Sequence, residues 1–313
     1  MRNLIDQTLK IFSAFVKFLR NPTDPTVLFP WTHAGLATTN KISKRIFFNR
    51  TKKRTEFVGG EHNSHSQRIE DDLGFTRFEF KDQNSLQAVA DHCKKHYSPD
   101  FILEKCNNSS KNNTLLSMPI DLTADGNDNI KALALSDHLI EPITNYLGSL
   151  PALIGSYVWF SPNDVDTPLV GSQYYHFDRE DVKQIKCFIP LDDIGEDSGP
   201  LNIVSALESH KFLESWEDSG GQMSLKQRFT DDEVHTYVNR DQVVALTGSI
   251  GDVILVDTTN CLHFGSRRAS KPKYHLTLHY VSAFSRKLYK HNLLSKLSSS
   301  ATKNDLVMEY YNS

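Results

Sequence analysis

Apolar and polar positions follow two different spacings along the chain, and the change falls near residue 150. Before it, apolar side chains recur every three to four residues over 4–19, 85–97 and 130–146, which predicts helices with one buried face. After it, short runs rich in β-branched and aromatic residues are separated by Gly, Pro, Asp and Asn, which predicts strands joined by turns. Many short strands of this kind predict a β-sandwich or barrel with flanking helices. The predicted strands span residues 157–160, 184–190, 200–204, 243–246, 252–256 and 274–282.

The first sixty residues, 1–60, are predicted to form a helical and basic extension. The apolar stripe over 4–19 is too short to cross a bilayer, is interrupted by two lysines and is not followed by a small-residue cleavage site. Neither a membrane span nor a secretory signal is therefore expected. The preferred interpretation is a helix packed on its own domain or on a partner subunit, as in a homodimer. A weak membrane-surface contact through residues 1–20 is the alternative, because basic side chains flank the stripe.

Composition narrows the class of protein. A hydrophobic fraction of 39% over 313 residues supports a large core and excludes a wholly disordered chain. The formal net charge of −3 does not favour binding to nucleic acid. The basic run 41–54 is predicted to be solvated around one buried strand at 46–48. The cysteines are too far apart for a disulfide framework or a zinc ribbon, which favours a cytoplasmic location; they are Cys93, Cys106, Cys187 and Cys261.

Three residues of the β-rich half have the chemistry of a metal site. In the run SQYYHFD, residues 172–178, His176 and Asp178 are two apart and would point to the same face of a strand. His263 follows a later predicted strand that would run antiparallel to the first. Two histidines and one carboxylate on one side of a metal are the facial triad of non-haem iron(II) oxygenases, which leaves the opposite side open. A lone His-x-Asp is common by chance, so the surrounding sequence decides its weight.

The surrounding segments occur in a recognisable order. Upstream, Leu73-Gly74-Phe75 precedes the helix predicted from Ser85, and downstream Gly251-Asp252-Val253 opens the strand before His263. Between them lie the strand 184–190 with Leu191-Asp192-Asp193, and then Ser198-Gly199-Pro200-Leu201, which leads to Glu208-Ser209-His210. After Val253 comes the segment Leu262-His263-Phe264-Gly265-Ser266. Over about residues 70 to 285, this order resembles the phytanoyl-CoA dioxygenase-like family of iron(II)/2-oxoglutarate-dependent oxygenases.

The resemblance implies a fold, cofactors and a reaction. The fold is a double-stranded β-helix, a jelly-roll barrel with helices outside, over residues 61–290 with an insert at 207–240 and a tail at 291–313. The metal is Fe(II), held by His176, Asp178 and His263. The co-substrates are 2-oxoglutarate, which chelates the iron through its C1 carboxylate and keto oxygen, and O2. A small organic substrate is hydroxylated or otherwise oxidised, with release of succinate and CO2. Because related halogenases lack the carboxylate, Asp178 favours oxidation over halogenation.

One position departs from the family pattern. Members of the family usually bind the far carboxylate of 2-oxoglutarate with an arginine on the last barrel strand. This chain has KPKYHLTLHYV there, residues 271–281, and Lys273 is the counterpart of the arginine. Side-chain alternation places Lys273 on the polar face that is predicted to line the barrel, with His275, Thr277 and His279. The other predicted co-substrate contacts are Arg267, Arg268, Ser266 and Gln173. Tyr157 and Trp159 share a strand face; core packing is the preferred interpretation, and a place in the wall of the pocket is the alternative.

Two other classes of function remain open at this point. A cupin-like barrel with the same three ligands could bind another metal and run isomerase or hydrolase chemistry. A non-catalytic binding protein could retain the old barrel, which the absent arginine favours and the three intact ligands disfavour. The identity of the substrate cannot be read from the sequence, because variable loops determine it. The insert 207–240 and the loop 60–72 are expected to cover the mouth of the barrel.

Overall fold

The strands form two antiparallel sheets. The computed structural model describes residues 41, 48–58, 67–106, 115–162, 168–221, 228–267, 269–282, 285 and 300–311. The larger sheet has the order β1-β7-β4-β9-β3-β2 and the smaller one β6-β5-β8. Their bounds are β1 (Phe75–Glu79), β2 (Leu116–Pro119), β3 (Ala152–Ser161), β4 (Gln184–Pro190), β5 (Leu201–Val204), β6 (Val243–Leu246), β7 (Asp252–Val256), β8 (His263–Phe264) and β9 (Lys273–Val281).

After β3 the chain passes repeatedly from one sheet to the other. It leaves β3 in the larger sheet and pairs His176 with His263 beside β8, which adds a short extended segment to the smaller sheet. It then returns to β4, crosses to β5 and β6, returns to β7, crosses to β8 and ends on β9. This winding is that of a double-stranded β-helix, so the fold class predicted from the sequence is confirmed.

Helices cover the outer face of the larger sheet, as predicted. The central strand β9 directs Tyr274, Leu276, Leu278 and Tyr280 into the main hydrophobic core. The Tyr274 hydroxyl donates to the carbonyl oxygens of Cys93 and Tyr97 at distances of 3.0 and 2.8 Å, which ties the sheet to a helix. The helices are α1 (Phe48–Thr55), α2 (Gln83–His96), α3 (Pro99–Cys106), α4 (Asp128–Ala134), α5 (Asp137–Leu147), α6 (Ala206–Asp218), α7 (Asp231–His235) and α8 (Lys303–Val307). Among the described residues, no helix is long and apolar enough to cross a membrane.

The single helix predicted over 130–146 is wrong, because the structure has α4 and α5 in its place. Ser136 adopts an extended conformation, with φ −62° and ψ 139°, and the second helix begins at Asp137. Both helices direct apolar residues into the same core, so the apolar spacing continues across the break. The spacing reports burial and does not reveal the backbone turn between the two helices.

The interpretation of the basic run 41–54 is also wrong in two respects. Phe48 begins α1 rather than ending a strand, while residues 46 and 47 lie outside the described part. Arg54 is fully buried, and its guanidinium donates to the carbonyl oxygens of Leu150, Pro151 and Leu306 at 2.7 to 3.0 Å. It also pairs with Glu309 at 2.6 Å. A basic side chain is buried here because carbonyl oxygens and a carboxylate replace its water.

The insert 207–240 lies mainly against the outer face of the smaller sheet. Phe212 of α6 and Val234 of α7 pack with Tyr175 and Val204 in a second hydrophobic cluster. Of the described residues of the insert, Arg228 lines the central cavity and the helices do not. Residues 222–227 lie outside the described part, as does the predicted helix 4–19.

Candidate metal centre

Backbone pairing brings the three predicted metal ligands together. The His176 amide donates to the His263 carbonyl oxygen at 2.9 Å, and the His263 amide donates back to His176 at 3.1 Å. Two residues further, the Asp178 amide donates to the carbonyl oxygen of Thr258 at 2.9 Å. The side chains converge as a result, with one potential ligand atom from each of His176, Asp178 and His263 within 4.8 Å of the others.

Hydrogen bonds fix which imidazole nitrogen is free in each histidine. Nδ1 of His176 lies 2.9 Å from the Tyr174 carbonyl oxygen, and Nδ1 of His263 lies 2.8 Å from that of Cys261. A carbonyl oxygen only accepts hydrogen bonds, so each Nδ1 carries the proton and each Nε2 has a lone pair. This is the usual arrangement of metal-binding histidines, whose second nitrogen is held by a backbone carbonyl or a carboxylate.

The charge states also suit a metal. Burial lowers the pKa of His176 to about 3, and burial likewise lowers the pKa of His263, so both imidazoles are neutral at physiological pH. Burial alone would raise the pKa of Asp178, but the Lys186 ammonium, 2.6 Å from Oδ2, holds it well below its usual value. Two neutral nitrogen donors and one ionised carboxylate fit a mononuclear divalent transition metal with open coordination positions.

The three ligands line a cavity of about 690 Å³ inside the barrel. The inner face of β9 lines it with the alternate residues Lys273, His275, Thr277 and His279, as the alternation in the sequence predicts. The cavity therefore has a polar wall on one strand, and aromatic and aliphatic side chains from other strands of both sheets complete it. These include Tyr157, Trp159, Phe188, Pro190, Leu201, Leu246 and Ile254.

Lys273 is a buried cation at one end of this cavity. Its side chain lies 5% exposed, and Nζ donates to the carbonyl oxygen of Gly199 at 2.7 Å. Among the described residues, no carboxylate lies within ion-pair distance of it. Burial lowers the pKa of Lys273 to about 7. A buried ammonium without a counter-ion is costly, so this position favours an anionic ligand.

Three more buried polar atoms line the same cavity without a hydrogen-bond partner among the described residues: Ser266 Oγ, Thr277 Oγ1 and His275 Nδ1. Ser266 has a φ of 58°, a left-handed conformation that is uncommon for a residue with a side chain. Buried polar groups are nearly always hydrogen-bonded in native proteins. These unpaired atoms and the Lys273 ammonium share one cavity, which fits a ligand with hydrogen-bonding and anionic groups.

The other predicted co-substrate residues are used elsewhere. The Arg267 guanidinium pairs with Asp231 at 2.8 and 3.1 Å and stacks 3.6 Å from the centre of the Phe264 ring. The Gln173 amide donates to the Ser266 carbonyl oxygen at 2.6 Å and accepts from the Val170 amide at 2.9 Å. Neither Arg267 nor Gln173 lines the cavity. Arg268 lies outside the described part.

Three further side chains belong to the wall of the cavity. For Tyr157 and Trp159 the preferred prediction of core packing is wrong and the alternative holds, because both are partly exposed and line the cavity. Gly155 accounts for the position of Tyr157, because a Cβ at residue 155 would lie 2.4 Å from the Tyr157 ring. Lys186, on the inner face of β4, contacts Asp178 at 2.6 Å. Lys186 and Phe188 are two residues apart and both point into the barrel, so the alternation of side chains along β4 could have predicted that Lys186 lines the cavity.

Comparisons with known proteins find solved structures that are similar to part of this chain. No family model matches the chain, and no curated protein matches it. One similar solved structure is HygX from Streptomyces hygroscopicus with nickel and 2-oxoglutarate bound, at 15% identity over 70% of this chain and 89% of that chain, with a TM-score of 0.44. EctD from S. alaskensis, with 2-oxoglutarate and 5-hydroxyectoine, has 16% identity over 70% and 79%, with a TM-score of 0.46. SnoK, a non-haem α-ketoglutarate-dependent carbocyclase from nogalamycin biosynthesis, has 12% identity over 74% and 86%, with a TM-score of 0.47. Identities and scores this low assign neither a family nor an activity to the chain.

Proposed function

We propose that this chain is a non-haem iron(II)- and 2-oxoglutarate-dependent oxygenase that oxidises a small organic substrate with release of succinate and CO2. One observation carries the proposal: a two-histidine, one-carboxylate group and a buried cation without a counter-ion share one cavity. The first fits a divalent metal with open positions, and the second fits the far carboxylate of a dicarboxylic co-substrate.

Each residue has a separate task in this proposal. His176 and His263 bind the metal through Nε2, because their Nδ1 protons are held by backbone carbonyl oxygens. Asp178 supplies the one anionic ligand. Lys273, with the hydroxyl of Ser266, holds the far carboxylate of 2-oxoglutarate and fixes its position against the metal. When bound, iron and 2-oxoglutarate supply the oxidising chemistry, and the protein supplies orientation and shielding.

The walls of the cavity position the substrate and exclude water. Phe188 on β4 and Trp159 on β3, the two strands that flank β9, contribute apolar surface, and the His275 ring lies 5.6 Å from the Phe188 ring. A largely apolar wall with a few placed polar groups is the usual form of a small-molecule site. Retention of Asp178 favours hydroxylation or another oxidation over halogenation, because the carboxylate occupies the metal position that a halide would need.

The decisive experiment is an anaerobic titration of the iron(II)-loaded protein with 2-oxoglutarate. We expect the weak visible charge-transfer band of the chelate to appear and to saturate at one equivalent per chain. A protein that binds iron but never develops the band would contradict the co-substrate and would favour a metal enzyme of another chemistry. A protein that does not bind a divalent metal at all would contradict the metal site itself.

Variants assign the residues in the same titration. His176→Ala and Asp178→Ala should abolish iron binding while the circular dichroism spectrum stays unchanged, because each removes one of three ligands. The matched control is His92→Ala, which removes a partly buried histidine whose Nε2 lies 3.0 Å from Asn127 Oδ1 outside the cavity. Iron retention in both ligand variants would refute the assignment.

The anchor is tested separately. Lys273→Met should weaken 2-oxoglutarate binding at least tenfold without removing iron, since it deletes the cation and leaves the ligands intact. Lys271→Met, two residues earlier, is the control, because Lys271 is exposed and pairs with Asp197 at 2.8 Å. An unchanged affinity in Lys273→Met would exclude Lys273 as the anchor.

A further inference from the structure

The insert brings a positive charge to the cavity. Among its described residues, Arg228 is the one that lines the cavity, together with the three metal ligands. The side chain of Arg228 is also exposed, so it lies on the side of the cavity that is open to solvent. The proposed function gives tasks to the metal ligands and to Lys273 but none to this guanidinium.

Backbone pairing places Arg228 beside a metal ligand. Phe229 and Tyr175 form an antiparallel pair and exchange backbone hydrogen bonds of 2.8 and 3.1 Å. By this register Arg228 lies opposite His176, and opposite residues of two antiparallel strands share a face, with their Cβ atoms about 5 Å apart. Tyr175 and Phe229 accordingly enter the second hydrophobic cluster. His176 and Arg228 point the other way, into the cavity.

The charge of Arg228 acts on the metal ligands. Burial lowers the pKa of His176 and that of His263, and the Arg228 guanidinium lowers both further. The Asp178 carboxylate in turn acts to raise the pKa of Arg228, against the effect of burial. Burial and the charge of Arg228 also lower the pKa of Arg179. Two guanidinium groups therefore lie near each other beside the metal ligands.

The balance of charge in the cavity favours an anionic substrate. The described charged side chains that line it are Asp178, Glu180, Lys186, Arg228 and Lys273, three cations and two carboxylates. Lys186 lies 2.6 Å from Asp178, so these two charges offset each other. Oε2 of Glu180 accepts a hydrogen bond from the Gln184 side chain at 3.2 Å. A divalent metal and the two carboxylates of 2-oxoglutarate carry equal and opposite charges, so the excess of cations persists when both are bound.

We propose that Arg228 binds an oxyanion of the substrate, a carboxylate or a phosphate group, beside the metal ligand His176, and that it thereby selects acidic substrates over neutral ones. A guanidinium suits this task because its planar fork binds an oxyanion through two hydrogen bonds. Tyr157 and Trp159 line the same cavity and supply apolar surface for the rest of the substrate. This inference names the substrate class of the proposed function and rests on it.

The test uses the full chain loaded with Mn(II) and saturated with 2-oxoglutarate in the absence of oxygen, so that the metal and Lys273 are occupied. Three probes share a phenyl ring and differ in charge: phenylacetate, phenyl phosphate and the neutral phenylacetamide. Isothermal titration measures their affinities. Proton NMR measures the broadening of each probe by Mn(II), with the Zn(II)-loaded protein as the diamagnetic reference.

We expect at least one of the two anions to bind about tenfold or more tightly than phenylacetamide, since a hydrogen bond to a charged group contributes about that much. The bound anion should be broadened by Mn(II), because Arg228 lies beside a metal ligand. The anion that binds more tightly distinguishes a carboxylate site from a phosphate site.

Three variants assign the preference to one residue. Arg228→Gln should remove it, because the substitution deletes the charge and keeps a polar side chain, and Arg228→Lys should restore part of it. The matched control is Arg240→Gln, because Arg240 is an exposed arginine of the same insert that does not line the cavity. It should keep the full preference. Circular dichroism checks the fold of each variant, and the affinity for 2-oxoglutarate should be the same in all of them.

The outcomes separate this inference from the function on which it rests. A preference for anions that survives in Arg228→Gln would overturn the role of Arg228. Equal affinities for the anions and phenylacetamide in the unaltered protein, or no binding of either anion, would overturn it as well and leave the proposed function standing. An unaltered protein that binds neither a divalent metal nor 2-oxoglutarate would overturn the proposed function, and this inference with it.

Discussion

Binding of 2-oxoglutarate should weaken as the pH rises above about 7. The reason is Lys273, whose pKa is lowered from 10.5 to about 7 by burial. The side chain is 5% exposed, and no described carboxylate offsets the loss of hydration. The charged ammonium attracts a carboxylate and the neutral amine does not. Binding of the anion therefore takes up a proton once the free protein has lost it.

The magnitude follows from this pKa. About half of the Lys273 side chains are charged at pH 7, about one in ten at pH 8 and about one in a hundred at pH 9. Only the charged fraction is competent, so the apparent dissociation constant rises by the reciprocal of that fraction. We expect it to increase about tenfold between pH 8 and pH 9, which equals about 1.4 kcal/mol. Below about pH 6 the constant should be flat.

The assay is the anaerobic chelate titration, repeated at intervals from pH 6 to pH 9 on the unaltered protein and on Lys273→Arg. Arginine stays charged throughout this range, so the variant should show no such slope. Any pH effect of the metal or its bound water appears in both proteins and cancels. Burial lowers the pKa of His176 to about 3 and that of His275 well below its usual value, so neither histidine titrates in this window. Equal slopes in the two proteins would refute the role of Lys273.

Three further predictions concern the scaffold, and chemical denaturation measures each of them. Arg54→Met should lower the free energy of unfolding by about 3–5 kcal/mol, because it removes the cation that pairs with the buried Glu309 carboxylate at 2.6 Å; a loss below about 1 kcal/mol, as is typical of exposed pairs, would contradict this. Leu278→Ala, in the middle of β9, should cost about 2–5 kcal/mol because Leu278 is fully buried, and a near-neutral result would mean that the core there is loosely packed. Gly155→Ala should cost about 1–3 kcal/mol, because the new methyl displaces the Tyr157 ring; an unchanged midpoint would show that the ring moves freely.

Much of the barrel could be predicted because its strands carry a strict alternation. In β9, every second residue from Lys273 onward lines the cavity, and the residues between them enter the core. A two-residue period leaves no other arrangement once one face is buried. Alternation also placed the candidate ligands His176 and Asp178 on one face, but the order of the surrounding segments was needed to select them and His263, which lies on the paired segment.

Other features depend on contacts between distant parts of the chain, and no local pattern encodes them. Arg54 is buried because Glu309, 255 residues later, supplies its counter-charge. Tyr157 and Trp159 resemble core residues, because the sequence pattern of two aromatic residues on one strand face is the same whether that face packs against helices or lines a cavity. The break at Ser136 is hidden because helices on both sides bury the same kind of side chain.

Two lysines line the same cavity, and their pKa values shift in opposite directions. Burial acts to lower the pKa of Lys186, but the Asp178 and Glu180 carboxylates outweigh it and raise the pKa above its usual value. Lys273 meets the same burial without a described carboxylate, and its pKa falls to about 7. A buried ammonium remains charged only where an anion accompanies it. For Lys186 the chain supplies that anion, whereas for Lys273 a ligand has to bring it. The opposite pKa shifts therefore mark Lys273, and not Lys186, as the lysine of this cavity that is open to an anionic ligand.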